Sequence, residues 1–154
     1  LREKVTDSLL RNKTQQAKSK VQTEAIDQLI EMNPFEVPQA RVQDLIKRTI
    51  NRGKSEEEMV EPSAEQLEGL APGAVREIKK FRILEFIANQ EKLKATQAQV
   101  DARIQEMAEA YHVDFESLKA NFRQTGRIVN LREEIKFELA QDLIVGVASN
   151  QSAE

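Results

Sequence analysis

Apolar residues recur along this chain at spacings of three and four, and no stretch sustains a period-two alternation, so the pattern predicts helices and no sheet. Residues 1–32 hold neither Pro nor Gly and favour helix in composition, which predicts one long helix. Its apolar residues gather at the ends: Val5, Leu9 and Leu10 first, then Val21, Ala25, Leu29 and Met32, with only Ala17 between Arg11 and Lys20. At about 1.5 Å per residue such a helix runs roughly 48 Å, whereas a compact chain of this size is roughly 40 Å across. The helix is therefore expected to overhang its own domain.

Asn33-Pro34-Phe35-Glu36-Val37-Pro38 reads as an elbow. Pro34 disfavours helix at Asn33, while Pro38 forces Val37 extended and suits the start of a new helix. That second helix is predicted to about Asn51 on the stripe Val42, Leu45, Ile46 and Ile50, with Gly53 as its C-terminal cap. From Gly53 to Pro62 the sequence turns polar and acidic around Met59 and Val60, as an exposed tip would. Ser63 with Gln66 forms a capping-box pattern for a short helix ending near Leu70, and Ala71-Pro72-Gly73 is expected to break it.

The next helix, Ala74 to Leu93, is the one around which the rest is arranged. Ala74, Ile78, Phe81 and Ala88 share one side, Val75, Phe86 and Leu93 the next, and Ile83, Leu84 and Ile87 reach round the back. A helix apolar nearly all round needs neighbours on several sides, or keeps apolar surface for something not always present. Thr96 with Gln99 then opens a helix striped by Val100, Ile104, Met107 and Tyr111. Asp114 caps another striped by Phe115, Leu118 and Phe122, which Gly126 ends. The last helix, Arg127 to about Ala148, carries Ile128, Leu131, Ile135, Leu139 and Leu143 on one face, with Val129, Ala140, Ile144 and Val147 beside it; residues 149–154 are expected to fray.

Composition narrows the chemistry. The 154 residues are 40% hydrophobic and 32% charged, enough for one ordinary core, and contain no apolar run of the roughly 18 residues that a membrane span needs. There is no cysteine, so disulfides, thiolate metal sites and cysteine nucleophiles are excluded. With a net charge of -3, binding to nucleic acid is not expected. The best basic cluster, Arg76, Lys79, Lys80 and Arg82, is interleaved with Glu77 and Glu85 and reads as a solvated helix face; Lys47, Arg48 and Arg52 form a second, smaller one. His112, the one histidine, reads as a surface or capping residue at a helix end. Glu56, Glu57, Glu58 and Glu61 lack the spacing of a calcium loop, and the adjacent Glu133 and Glu134 diverge on their helix. The five glycines are scattered, so there is no phosphate-cradling loop. No catalytic residue, cofactor or metal site is therefore expected.

Taken in order, these segments resemble the C-terminal domain of bacterial trigger factor, a ribosome-associated chaperone. The stretches that carry the resemblance are Leu1-Arg2-Glu3-Lys4-Val5 opening the long helix, Val21 to Ile30, the elbow Phe35-Glu36-Val37-Pro38, Ile87 to Leu93 leading into Thr96 to Val100, and Met107 to Tyr111. The resemblance implies an all-α, elongated multi-helix domain with a long first helix, a helical body and two protruding arms. By position, arm one would take about 39–80, arm two about 96–126, and the body 1–33, 81–95 and 127–148. It implies a bacterial, cytoplasmic, ATP-independent chaperone domain that holds unfolded or nascent polypeptides in an apolar cradle. Met59, Val60, Phe81, Met107, Tyr111, Phe115 and Phe122 are the expected client contacts.

A start on Leu1 in mid-helix pattern suggests a fragment of something longer. The family's ribosome-docking loop and strand-rich prolyl-isomerase domain have no counterpart among these residues, so ribosome binding and isomerase activity are expected only of a longer parent. Self-association stays open. The competing expectation is a helical adaptor module that binds one folded partner, which would show the same apolar stripes.

Overall fold

The computed structural model describes the backbone of residues 2–151 and the side chains of residues 12–147. The fold is all-α: among the described residues there are six α-helices, one 3-10 turn and no strand. In chain order the helices are α1 (Arg2–Met32), α2 (Gln39–Ile50), α3 (Ala64–Gln90), α4 (Gln97–Tyr111), α5 (Phe115–Gln124) and α6 (Arg127–Gln151), with the 3-10 turn at Glu56–Glu58. The side chains of Val5, Leu9 and Leu10, and residues 152–154, lie outside the described residues. Helix α6 runs past the expected end near Ala148 to Gln151.

The chain divides into two compact units, Leu1–Gln22 with Leu84–Glu154, and Thr23–Ile83. In the unit of residues 23–83, Val42, Ile46 and Ala74 form the buried cluster, with Val37, Leu67, Ala71, Val75 and Ile78 packed against it. The elbow serves this cluster, because Pro38 holds Val37 extended and then stands as the N-cap of α2. Asp27 of α1 pairs with Arg76 of α3 at 2.8 Å, and Lys79 lies 5.5 Å from the centre of the Phe35 ring.

One expectation fails here. Ala71-Pro72-Gly73 does not end a helix; α3 is continuous from Ala64 to Gln90 with Pro72 inside it. Its start is as expected, with Gln66 N–H donating to Ser63 Oγ and Ser63 N–H to Gln66 Oε1. Proline in a helix interior removes one backbone hydrogen bond and costs about 3 kcal/mol relative to Ala. What offsets this is register: Leu67, Ala71, Ala74, Val75 and Ile78 form one unbroken stripe against Val42 and Ile46, while Pro72 faces solvent. Breaking the helix at Pro72 would take half of that stripe off the core. At the other end Leu93 lies outside α3, because Lys92 turns left-handed (φ 53°) and the Leu93 and Lys92 N–H groups donate back to Ala88 and Asn89 carbonyls, a Schellman closure.

In the other unit, Val100, Ile104, Phe122, Leu131 and Ile135 form a buried cluster supplied by α4, α5 and α6, flanked by Phe115, Leu118 and Leu139. The caps are those the sequence predicts. Thr96 and Gln99 exchange a capping box, Asp114 accepts from the Ser117 N–H at 2.9 Å, and Gly126 takes the left-handed φ of 71° that turns α5 into α6. Arg103 of α4 and Glu138 of α6 meet through two hydrogen bonds of 3.1 and 2.6 Å, and Lys119 of α5 reaches Asp101 of α4 at 3.0 Å. Helix α1 joins this unit beside α6, through Lys18 to Asp142 and Gln22 to Gln141, each at 2.8 Å.

Candidate functional site

Two open hollows stand out, one in each unit. The first, of about 530 Å³, lies at the α4–α5 turn and the start of α6. Met107, Tyr111, Leu118 and Phe122 give it an apolar wall, and Arg127 and Glu134 of α6 supply one charge of each sign. Its shape follows from a helix end: His112 turns left-handed (φ 55°), and the Val113 and His112 N–H groups donate to the Ala108 and Glu109 carbonyls. That closure satisfies the end of α4 and leaves Tyr111 and Val113 exposed beside the hollow. His112 is thus an exposed helix-end residue, as its sequence context predicts. The Arg127 guanidinium lies 5.1 Å from the centre of the Phe122 ring.

The second hollow, of about 640 Å³, lies between α2 and α3. Leu45, Ile46, Leu70, Ala74 and Phe81 give its apolar surface; Leu70 and Phe81 are 42% and 46% exposed. Arg48, Arg52, Arg76 and Glu77 edge it.

Above α2, the loop of residues 52–63 is pinned. Asn51 is the C-cap of α2 and is 7% exposed. Its side-chain amide donates to the Lys47 and Val60 carbonyls, each at 2.9 Å, and its oxygen accepts from the Val60 N–H at 2.9 Å. One side chain thereby satisfies both backbone groups of Val60. The expected C-cap, Gly53, sits two residues further on with φ 81°, where it lets the chain turn away. The acidic run is also organised: Glu58 closes a capping box on Ser55, whose backbone N–H holds the Glu58 carboxyl below its ordinary pKa, and Glu61 pairs with Lys47. The loop therefore presents Met59 and Val60, about half exposed, in a defined place.

The seven expected contact residues divide by burial. Met59, Val60, Phe81 and Tyr111 are exposed, Met107 and Phe115 half-buried, and Phe122 only 8% exposed within its cluster. Met107, Tyr111 and Phe122 share the first hollow, Phe81 lies in the second, and Met59 and Val60 sit on the pinned loop. Phe115 lies in neither hollow's wall and packs beside the cluster, its ring under Lys119. Leu70 and Val113 were not singled out by the sequence: Leu70 read as a helix end, and Val113 owes its exposure to the left-handed turn at His112.

Several of the charged candidates are held in ion pairs. Arg76 is held by Asp27 and Glu77, Lys80 by Glu77, and Glu133 by Lys136 at 2.6 Å. Among the described residues no three His, Asp or Glu side chains gather where they would hold a metal ion, and no helix is long and apolar enough to cross a membrane.

The fold and the two hollows define the class: an all-helical domain with open apolar surface rimmed by charge. The chain belongs to the family described as the bacterial trigger factor protein C-terminus, whose sequence profile matches residues 1–146. It is 26% identical over 153 residues to the trigger factor of Koribacter versatilis strain Ellin345, covering 94% of this chain and 35% of that one. It is also 26% identical to the trigger factor of Agathobacter rectalis, covering 94% of this chain and 35% of the relative. With the trigger factor of Nitratidesulfovibrio vulgaris strain Miyazaki F the identity is 25%, over 100% of this chain and 38% of the relative. The chain thus spans little more than a third of the length of these curated relatives. No solved structure matches it significantly.

Proposed function

We propose that this chain is an ATP-independent chaperone domain that holds unfolded or nascent polypeptides on dispersed apolar surface. The observation that carries the reading is that large apolar side chains stay exposed on well-capped, charge-rimmed helices: Tyr111 and Val113 at one hollow, Leu70 and Phe81 at the other, and Met59 and Val60 on the pinned loop. Family membership supports it. Unfolded clients share little except exposed apolar side chains and backbone, so separate open hollows with an adaptable Met suit them better than one deep pocket.

Burying roughly 300 to 600 Å² of apolar client surface at about 25 cal/mol per Å² yields on the order of 8 to 15 kcal/mol gross. Association and ordering costs offset most of that and leave micromolar, quickly reversible binding, so release needs no nucleotide. In this reading residues 39–80 and 96–126 act as two arms, and Met59, Val60, Phe81, Met107, Tyr111, Phe115 and Phe122 contribute to client contact. The setting is the cytoplasm. Ribosome docking and prolyl isomerisation belong to other parts of a full-length trigger factor, and residues 1–154 alone are expected not to accelerate cis/trans exchange in a proline peptide.

The test is an aggregation assay with several chemically unrelated unfolded proteins and no nucleotide. Delay of all of them, little weakened by moderate salt, is the expected result. Saturation by one folded partner with no effect on unfolded proteins would instead identify an adaptor module and overturn the reading.

A further inference from the structure

The two hollows differ in charge, and the difference points to what one of them selects. In the hollow of residues 23–83, Arg76 is committed to Asp27 at 2.8 Å and to Glu77 at 3.6 Å, and Glu77 is shared with Lys80 at 3.4 Å. Arg48 and Arg52 are exposed, and among the described residues neither guanidinium has an ion pair or hydrogen bond, although Asp44 stands one helical turn before Arg48. Arg48 stands in the last turn of α2 and Arg52 in the turn just past its C-cap, Asn51, and both line the same hollow. Cations there complement the helix dipole, but that role is also met by Lys47, which in addition pairs with Glu61. What remains is two free guanidinium forks on the wall of an apolar hollow formed by Leu45, Leu70 and Phe81. The first hollow, by contrast, carries Arg127 and Glu134 together.

Resting on the holding function proposed above, we infer that the α2–α3 hollow selects polypeptide segments in which an apolar side chain is followed closely by a carboxylate. The apolar group fills the space between Leu45, Leu70 and Phe81, and an Asp, Glu or terminal carboxylate accepts from Arg48 and Arg52. A guanidinium fork matches a carboxylate in geometry as well as charge, and the contact is charge-assisted. The selection is local: it operates on a protein whose net charge is -3, and so reflects placement rather than bulk charge.

The experiment uses two peptides with the same apolar sequence and the same neutral fluorophore, one carrying Asp and Glu and the other Asn and Gln, with binding read by anisotropy. The acidic peptide is expected to bind about fivefold tighter at low salt, the size that two exposed charge pairs supply. That preference should vanish near 0.5 M salt, where the Debye length shrinks to roughly 4 Å. The R48Q/R52Q double variant should bind the amide peptide unchanged and lose the preference, while R48K/R52K keeps most of it. A thermal melt confirms that both variants fold. Equal binding of the two peptides overturns the selection and leaves the holding function standing; no binding of either overturns both. Equal loss of both peptides in R48Q/R52Q, or displacement of the acidic peptide by a single-stranded oligonucleotide at lower concentration than by unlabelled peptide, assigns the arginines to another role and also overturns it.

Discussion

The unit of residues 23–83 and the α4–α5–α6 portion of the other unit solve the same problem with different means. In α4–α5–α6 the first two helices begin at side-chain caps, Thr96 and Asp114, and all three helices contribute to a cluster of five buried residues. In residues 23–83 the cluster around Ile46 has three buried members among the described residues, with Ile26 and Ile83 buried outside it; one helix carries a proline in its interior, and a buried asparagine pins an exposed loop. The comparison teaches that open apolar surface needs a rigid support, and that the support is either packing or a hydrogen-bonded clasp. Where packing is ample, Tyr111 is displayed by a helix closure. Where it is sparse, Met59 and Val60 are displayed by Asn51.

Truncating the two clusters tests this most severely. Leu131→Ala and Ile46→Ala remove side chains that are 3% and 2% exposed, and each is expected to cost about 2 to 5 kcal/mol by denaturant unfolding. Ile46→Ala should be the more disruptive for its unit, because the cluster it leaves is smaller. Equal costs with identical melting of both units would break the contrast.

Asn51→Ala leaves both backbone groups of Val60 without the side chain that satisfies them, and is expected to cost about 1 to 3 kcal/mol. Hydrogen exchange should quicken at Val60 and its loop neighbours far more than at Val100 or Leu131. Asn51→Asp keeps the acceptor but loses the donors to Val60 and Lys47, and should fall between.

Pro72→Ala restores a helix hydrogen bond on a solvent-facing turn without disturbing the stripe, so a gain of about 1 to 2 kcal/mol is expected, less than the full propensity difference because proline also restricts the unfolded chain. A loss would mean that the proline shapes the packing of α3 on α2.

These cases also mark what the sequence made legible. Local signals were readable: the elbow before Pro38, the Ser63/Gln66 and Thr96/Gln99 boxes, the Asp114 cap and the turn at Gly126 each act within a few residues. Pro72 misled because a short-range breaker was outvoted by a stripe whose value depends on α2, some thirty residues earlier. Asn51 was unreadable for a similar reason, since its partner Val60 is set by loop closure rather than by any pattern. Within the stripes, periodicity put Tyr111 and Phe122 on apolar faces but did not say that Phe122 lies in the cluster while Tyr111, 74% exposed, stands at its edge.

Acid acts more gently and on both regions, since Glu58 on the loop of the 23–83 unit is also held below its ordinary pKa by the Ser55 N–H. Asp101 is held below its ordinary pKa chiefly by the hydrogen bond from Lys119, and Asp114 chiefly by the Ser117 N–H. A carboxyl whose folded pKa is depressed contributes stability above its unfolded pKa and loses it as pH falls through the folded one, so the α4–α5 pair should loosen as pH drops below about 4. Asp101→Asn is expected to flatten that acid limb while leaving Asn51 and its loop unaffected, as followed by amide signals during an acid titration.

The central claim, that this chain holds clients on several separate apolar surfaces, is met most directly by mapping amide and methyl shifts by NMR as an unlabelled unfolded protein is added. The account predicts fast-exchange shifts in separate patches around Met59 and Val60, around Leu70 and Phe81, and around Met107 and Tyr111, with Leu131 and Ile135 unmoved, and weakened binding without unfolding in Tyr111→Ser and Met59→Ser. Shifts confined to a single patch that saturates with one ligand, or serine variants that melt the domain and leave binding by the folded fraction unchanged, would contradict it.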